Sequence, residues 1–215
     1  MKHTFAGFAF GLALLLSAGP GHAQTATSGF DYYVLSLSWS PQYCATNGEK
    51  KGDPQCAAQR RYGFVLHGLW PQYAAGQWPE SCVAPAPAIP APVIREMLPI
   101  QPSEGLIRHE WAKHGTCSHQ DAAGYFAASA QAYRSIRIPE AYRNPTRYQT
   151  TSVAKLAADF AAVNPGLDAS DFSALCRKQY LVEIYACLDK ELKPTRCGGG
   201  MAAKCGETVI LRPVR

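Results

Sequence analysis

Eight cysteines are spread along the chain without a single Cys-x-x-Cys spacing, so neither a zinc ribbon nor a thioredoxin-like redox site is encoded. A zinc-protease helix is missing too. It needs histidines four apart with a glutamate between, whereas His109 and His114 are five apart, which turns their imidazoles about 140° from one another. Gly198-Gly199-Gly200 lacks the preceding strand, the Lys and the Ser/Thr of a phosphate-cradling loop. There is no internal repeat, and beyond residue 16 no run approaches the ~20 apolar residues of a membrane span. Charge of one sign is also scarce. With 21 Lys and Arg against 16 Asp and Glu, the formal net charge is +5, mildly favourable to a polyanion but indecisive alone.

The apolar run that does exist stands at the start. Lys2 and His3 precede Phe5 to Leu16, and Gly21-His22-Ala23 offers small residues at a cleavage position. Residues 1–23 therefore read as a signal peptide, and the mature chain as secreted or periplasmic. The other 192 of the 215 residues, 24–215, are enough for a proper core and are expected to form one domain. All the cysteines lie there, and an even number in an exported chain reads as four disulfides.

Tyr32 to Trp39 has the aromatic and β-branched content of a strand, with Leu35, Leu37 and Trp39 on one face. Tyr62 to Leu66 reads as a second strand that delivers His67 at its end, where a rigid sheet presents chemistry to solvent. Asn47 to Pro54 is a polar loop enclosed by Cys44 and Cys56. The proline-rich run at 84–92 favours extended polyproline conformation, but with Cys82 and Cys117 on either side it reads as a loop over one domain rather than a linker. Asp121 is placed to cap a helix from Ala122 to about Arg137, and Thr150 or Thr151 one that runs to Val163. A shorter helix is expected from Ser170 to Lys178, after which 180–188 and 209–211 return to strand. The fold class is α+β: a largely antiparallel sheet with helices packed around it, in a disulfide-stapled single domain.

One stretch concentrates chemistry: His109-Glu110-Trp111-Ala112-Lys113-His114-Gly115-Thr116-Cys117. Wound as an α-helix, it puts His109, Glu110, Lys113 and His114 on one face and Trp111 and Ala112 on the other, with Gly115 suited to ending it. A neutral imidazole takes a proton, an imidazolium gives one, and a lysine holds positive charge where an oxyanion develops. The plainer alternative is a surface helix with a weak solvated Glu110 and Lys113 pair. His67 and Trp70, each taken alone, read as ordinary structural residues.

Taken together with this helix, His67 makes the chain resemble the ribonuclease T2 family of exported, metal-independent RNA-cleaving enzymes. That family has two active-site segments, matched here by 64–72, Phe-Val-Leu-His-Gly-Leu-Trp-Pro-Gln, and by 109–117. The likeness extends from the opening strand to the cysteine-bearing C-terminus. It implies bridges from Cys82 to Cys117, Cys176 to Cys205 and Cys187 to Cys197, which leaves Cys44 with Cys56. It also implies that Trp70 stacks on a base, with Gln72 and Trp78 as polar and aromatic base contacts; stacking needs only a π-face and so tolerates any base. Departures cluster at the second base site, where Ser38 replaces the usual glutamine and Leu106-Ile107 the usual Phe-Trp.

The resemblance implies cleavage of single-stranded RNA through a 2′,3′-cyclic phosphate, with the 2′-hydroxyl as nucleophile. His67 and His114 are then the acid-base pair, the family picture favouring His114 as base and His67 as acid. Lys113 and Glu110 serve the developing phosphoryl charge, and His109 contacts phosphate. No metal or other cofactor is implied, and RNA is the expected partner, with no DNA, no membrane for the mature chain and no second subunit. One rival is an exported RNA-binding or defence protein without turnover, against which the intact histidine pair argues. The other, a zinc peptidase on His109 and Glu110, fails on spacing. His119, beyond Gly115, is expected on the surface. Activity should trace a bell somewhat below neutrality, because Lys113 and His109 push the histidine pKa values down and Glu110 offsets only part.

Overall fold

The computed structural model describes residue 1, residues 29–198 and residues 204–214. Apart from Met1, the signal-peptide reading of 1–23 lies outside the described residues, as do Gly199 and Gly200. Six strands, β1 (Tyr32–Trp39), β2 (Phe64–Gln72), β3 (Gln149–Thr151), β4 (Phe172–Arg177), β5 (Tyr180–Leu188) and β6 (Val209–Leu211), form one open sheet ordered β2-β1-β5-β6-β3. β4 pairs with β5 off that path. Every ladder is antiparallel except the short pairing of β5 with β6. Among the described residues, four helices of seven residues or more accompany the sheet: α1 (Ala91–Met97), α2 (Glu104–Lys113), α3 (Ala122–Ser135) and α4 (Val153–Val163). Among the described residues no helix is long and apolar enough to cross a membrane.

The period of two in β1 separates two environments. Tyr33, Leu35, Leu37 and Trp39 join the main core with Phe64, Trp111, Tyr125 and Phe160. Each such apolar side chain contributes about 1.5–3 kcal/mol on burial. The alternate residues Val34, Ser36 and Ser38 look the other way, toward Trp70 and Tyr185 at one end and Glu183 at the other.

Several boundaries differ from the sequence expectation, each for a tertiary reason. Residues 170–178 are not a helix. A one-turn 3-10 segment, Ala169–Asp171, leads into β4, whose Phe172 and Ala174 enter the core while its backbone pairs with β5. Thr150 and Thr151 belong to β3, so Ser152 caps α4, its Oγ accepting from the Lys155 N–H at 3.1 Å. Asp121 does cap α3, accepting from the Gly124 N–H at 2.8 Å, but the helix ends at Ser135. The Asn47 to Pro54 loop is largely wound into short helical turns. The proline-rich run stays irregular to Pro90 and then starts α1, with Pro92 in the first turn, where its missing N–H costs nothing.

Four disulfides close the structure: Cys44 to Cys56, Cys82 to Cys117, Cys176 to Cys205 and Cys187 to Cys197. The second draws the proline-rich loop onto α2, and Trp111 Nε1 donates to Pro87 O at 2.7 Å along the same seam.

Candidate active site

His67 is not at the end of a strand. β2 continues through it to Gln72, and the ladder with β1 slips at that point: Ser36 faces Gly68 while Leu37 faces Leu66. His67 is the extra residue of a β-bulge, a device that re-aims a side chain. Its carbonyl accepts from Gln101 Nε2 at 2.6 Å, which ties the bulge to the segment leading into α2.

The second segment is helical over a different span from the one expected. α2 begins five residues before His109, buries Ile107 and Trp111, and ends at Lys113; His114 caps it, keeping a 2.9 Å bond from its N–H to Glu110 O at φ −115°. Gly115–Cys117 then form a 3-10 turn. Gly115 serves by lacking a side chain: a Cβ there would stand 2.4 Å from the Trp111 ring and 2.8 Å from that of Tyr125. The shared polar face divides by depth. Glu110 is 1% exposed and His114 6%, whereas His109 and Lys113 reach the surface, Lys113 Nζ lying 3.6 Å from Glu80 Oε2.

The two segments meet at Trp70, which is half-buried rather than a core residue. Its Nε1 donates to Glu110 Oε2 at 2.7 Å, and its ring centroid lies 5.3 Å from that of His67 and 5.3 Å from that of His114. Gly68 makes this approach possible, since a Cβ there would sit 2.0 Å from Glu110 Oε2. One cavity of about 380 Å³ is lined by His67, Glu110, Lys113 and His114, and also by His109, Trp70, Gln72 and Trp78. Trp78 is half exposed at its mouth, and Gln72 is buried. A second cavity, of about 230 Å³, lies beyond His67 and is lined by Ser38, Leu106, Asn47, Arg177 and Glu183. Ile107 is fully buried in the core, so of the Leu106-Ile107 pair only Leu106 faces this space. His119 is exposed.

Sequence reasoning passed over Glu183. It is 7% exposed, its Oε1 lies 2.5 Å from His67 Nδ1, and its Oε2 accepts from the Tyr185 hydroxyl at 2.6 Å. A carboxylate between Val182 and Ile184 in an apolar strand was the available signal. Lys204, Ala174 and Leu175, also unforeseen, complete one side of the first cavity.

These neighbours drive the two imidazoles apart. Burial would lower the His67 pKa, but the hydrogen bonds and charges of Glu110 and Glu183 overcome it and raise the value to about 10. Burial lowers His114 to about 4, Glu110 opposing it and Lys113, His67 and His109 adding to it. The downward expectation therefore holds for His114 and reverses for His67, because Glu183 supplies a second carboxylate.

The model of the ribonuclease T2 family matches residues 30–197, which spans both segments and the strand carrying Glu183. The chain belongs to the ribonuclease T2 family. A probable ribonuclease of Haemophilus influenzae is 33% identical over 81% of this chain and 63% of its own length, so this chain spans less than two thirds of that relative. A ribonuclease of Aeromonas hydrophila is 33% identical over 86% of this chain and 87% of its own. Among solved structures, a variant of RNase MC1 in complex with 5′-UMP shares the fold, with a TM-score of 0.65 and 24% identity over 84% of this chain and 98% of that one. In this T2-family chain the two matched segments thus converge on one cavity, whose wall is completed by Ala174 and Leu175 of β4 and Tyr185 of β5.

Proposed function

We propose that the chain is an exported endoribonuclease that cleaves single-stranded RNA, with low base specificity and without a metal, through a 2′,3′-cyclic phosphate. The observation that carries this reading is the pair of imidazoles on one cavity, His67 between two carboxylates and His114 buried with no hydrogen-bond partner for its Nδ1 among the described residues. At neutral pH His114 is neutral and suited to take the 2′-hydroxyl proton, and His67 is protonated and suited to give one to the leaving 5′-oxygen. The 2′-oxygen attacks phosphorus, the bond to the 5′-oxygen breaks, and the cyclic phosphate leaves for hydrolysis with the two roles exchanged. Lys113 supplies positive charge to the phosphoryl oxygens, Glu110 holds Trp70 and the Nε2 edge of His67 around them, and His109 contacts a phosphate at the surface. The upstream base lies between Trp70 and Trp78 with Gln72 at its edge; a π-face selects no particular base. That a variant of RNase MC1, which shares the fold, forms a complex with 5′-UMP supports a nucleotide as the class of ligand. The downstream base enters the second cavity, beside Ser38 and Leu106. The mature enzyme acts alone, in the periplasm or outside the cell.

Digestion of matched RNA and 2′-deoxy oligonucleotides in EDTA tests the reading. RNA alone is expected to be cut, with a cyclic phosphate as first product in mass spectrometry. Comparable cleavage of the deoxy strand, or loss of activity in the chelator, would overturn it.

The pH dependence is a separate expectation. Turnover needs His114 without its proton and His67 with one, so kcat/KM rises through about 4 and falls only through about 10. The profile is a broad plateau including neutrality, measurable on a dinucleotide substrate. A narrow bell confined to acid pH would contradict the environment described for His67.

A further inference from the structure

Glu183 takes no part in the proton transfers, yet its side chain is buried in the wall of the second cavity with both oxygens engaged. Oε1 faces His67 Nδ1 at 2.5 Å and accepts from Ser38 Oγ at 3.3 Å; Oε2 accepts from Tyr185 OH at 2.6 Å. Glu183 sits directly opposite Ser38 on β1, while against β4 the ladder slips between Leu175 and Cys176 and leaves Val182 as an extra residue. A bulge therefore lies at each end of the His67 to Glu183 bond, one at His67 itself and one beside Glu183. Bulges re-aim side chains, and here both serve the same contact.

The two edges of the His67 ring are held differently. Nδ1 is taken up by Glu183, whereas Nε2 lies 3.4 Å from Glu110 Oε1, a longer contact on the cavity side. We propose that Glu183 is the positioning residue of the catalytic acid: its carboxylate accepts a hydrogen bond from His67 Nδ1–H, so that Nε2–H is the edge turned to the leaving oxygen. This rests on the reading of His67 as the acid. The groups facing His67 are Glu110 from α2, His114 at its end, Glu183 from β5 and the neutral Ser38 from β1, while Tyr185 meets Glu183 from the other side. Burial would raise the Glu183 carboxyl pKa, but His67, Tyr185 and Ser38 together hold it below the ordinary value, so it stays an acceptor. The Tyr185 hydroxyl, raised by burial and by Glu183, remains a donor.

The test compares two substrates: a diribonucleotide, whose alkoxide leaving group needs a proton, and uridine 3′-(4-nitrophenyl phosphate), whose phenolate leaves without one. His67→Ala is expected to lose the first and recover on the second. Glu183→Gln is expected to lower kcat on the dinucleotide by about tenfold or more at unchanged KM, the loss being in proton transfer. Its basic limb moves to lower pH by roughly one to three units, and it recovers on the aryl substrate. A wild-type basic limb and kcat in Glu183→Gln, beside a recovering His67→Ala, overturns the proposal alone. Failure of His67→Ala to recover overturns the acid reading and this proposal with it. The unaltered enzyme gives an independent measurement in case the glutamine variant does not fold. In an NMR titration His67 Cε1–H should keep its imidazolium position well above 6.5, and a midpoint at or below that value overturns the proposal.

Discussion

Replacing His114 with alanine is expected to lower kcat/KM on RNA by ~10²–10⁴, the range for removing one acid-base group. His114 is buried at the end of α2, packed at 5.3 Å against the Trp70 ring, and its Nδ1 has no hydrogen-bond partner among the described residues. As the proposed base it is needed whatever the leaving group, so His114→Ala should fail on an aryl phosphate as well as on RNA, unlike His67→Ala. RNA binding, read by titration of a non-cleavable 2′-deoxy analogue, should change little, because Trp70, Trp78 and Gln72 still line the cavity. Combining His67→Ala with His114→Ala should cost less than the product of the two single losses, since each alone already disables the same proton-transfer cycle. Near wild-type hydrolysis by that double variant would show the pair to be wrongly assigned.

Removing the Cys82 to Cys117 bridge by Cys82→Ser with Cys117→Ser is expected to cost about 2–5 kcal/mol of folding stability. The bridge spans 35 residues, and Cys117 lies in the turn that follows His114. For a domain of this size each kcal/mol shifts Tm by roughly 2–4 °C, so calorimetry should register a large fall. Two hydrogen bonds, Ser81 N–H to Lys113 O at 2.7 Å and Trp111 Nε1 to Pro87 O at 2.7 Å, still hold the loop to α2. The folded fraction should therefore keep most of its activity at low temperature and lose it on warming. An unchanged Tm would mean that the bridge contributes nothing to holding the loop.

Local patterns were legible where a short-range physical rule governs them. The alternation in Tyr32 to Trp39, the Asp121 cap and the helix end at Val163 depend on neighbours a few residues away, and the structure follows them. The failures share a cause. Residues 170–178 carry helix-compatible local chemistry, but pairing with β5 and the burial of Phe172 and Ala174 outweigh it. His67 was expected at a strand end because nothing in Phe64 to Gln72 announces a bulge; the slip exists only relative to β1.

By itself the sequence determined the chemical inventory, two imidazoles, a lysine and a carboxylate in two segments, together with the cysteines that staple the fold, since residue identity and spacing need no partner to be read. Tertiary structure alone supplied the surroundings that drive the two imidazole pKa values apart. A charge state depends on what lies within a few ångströms, and the carboxylate at His67 Nδ1 comes from Glu183, 116 residues away along the chain.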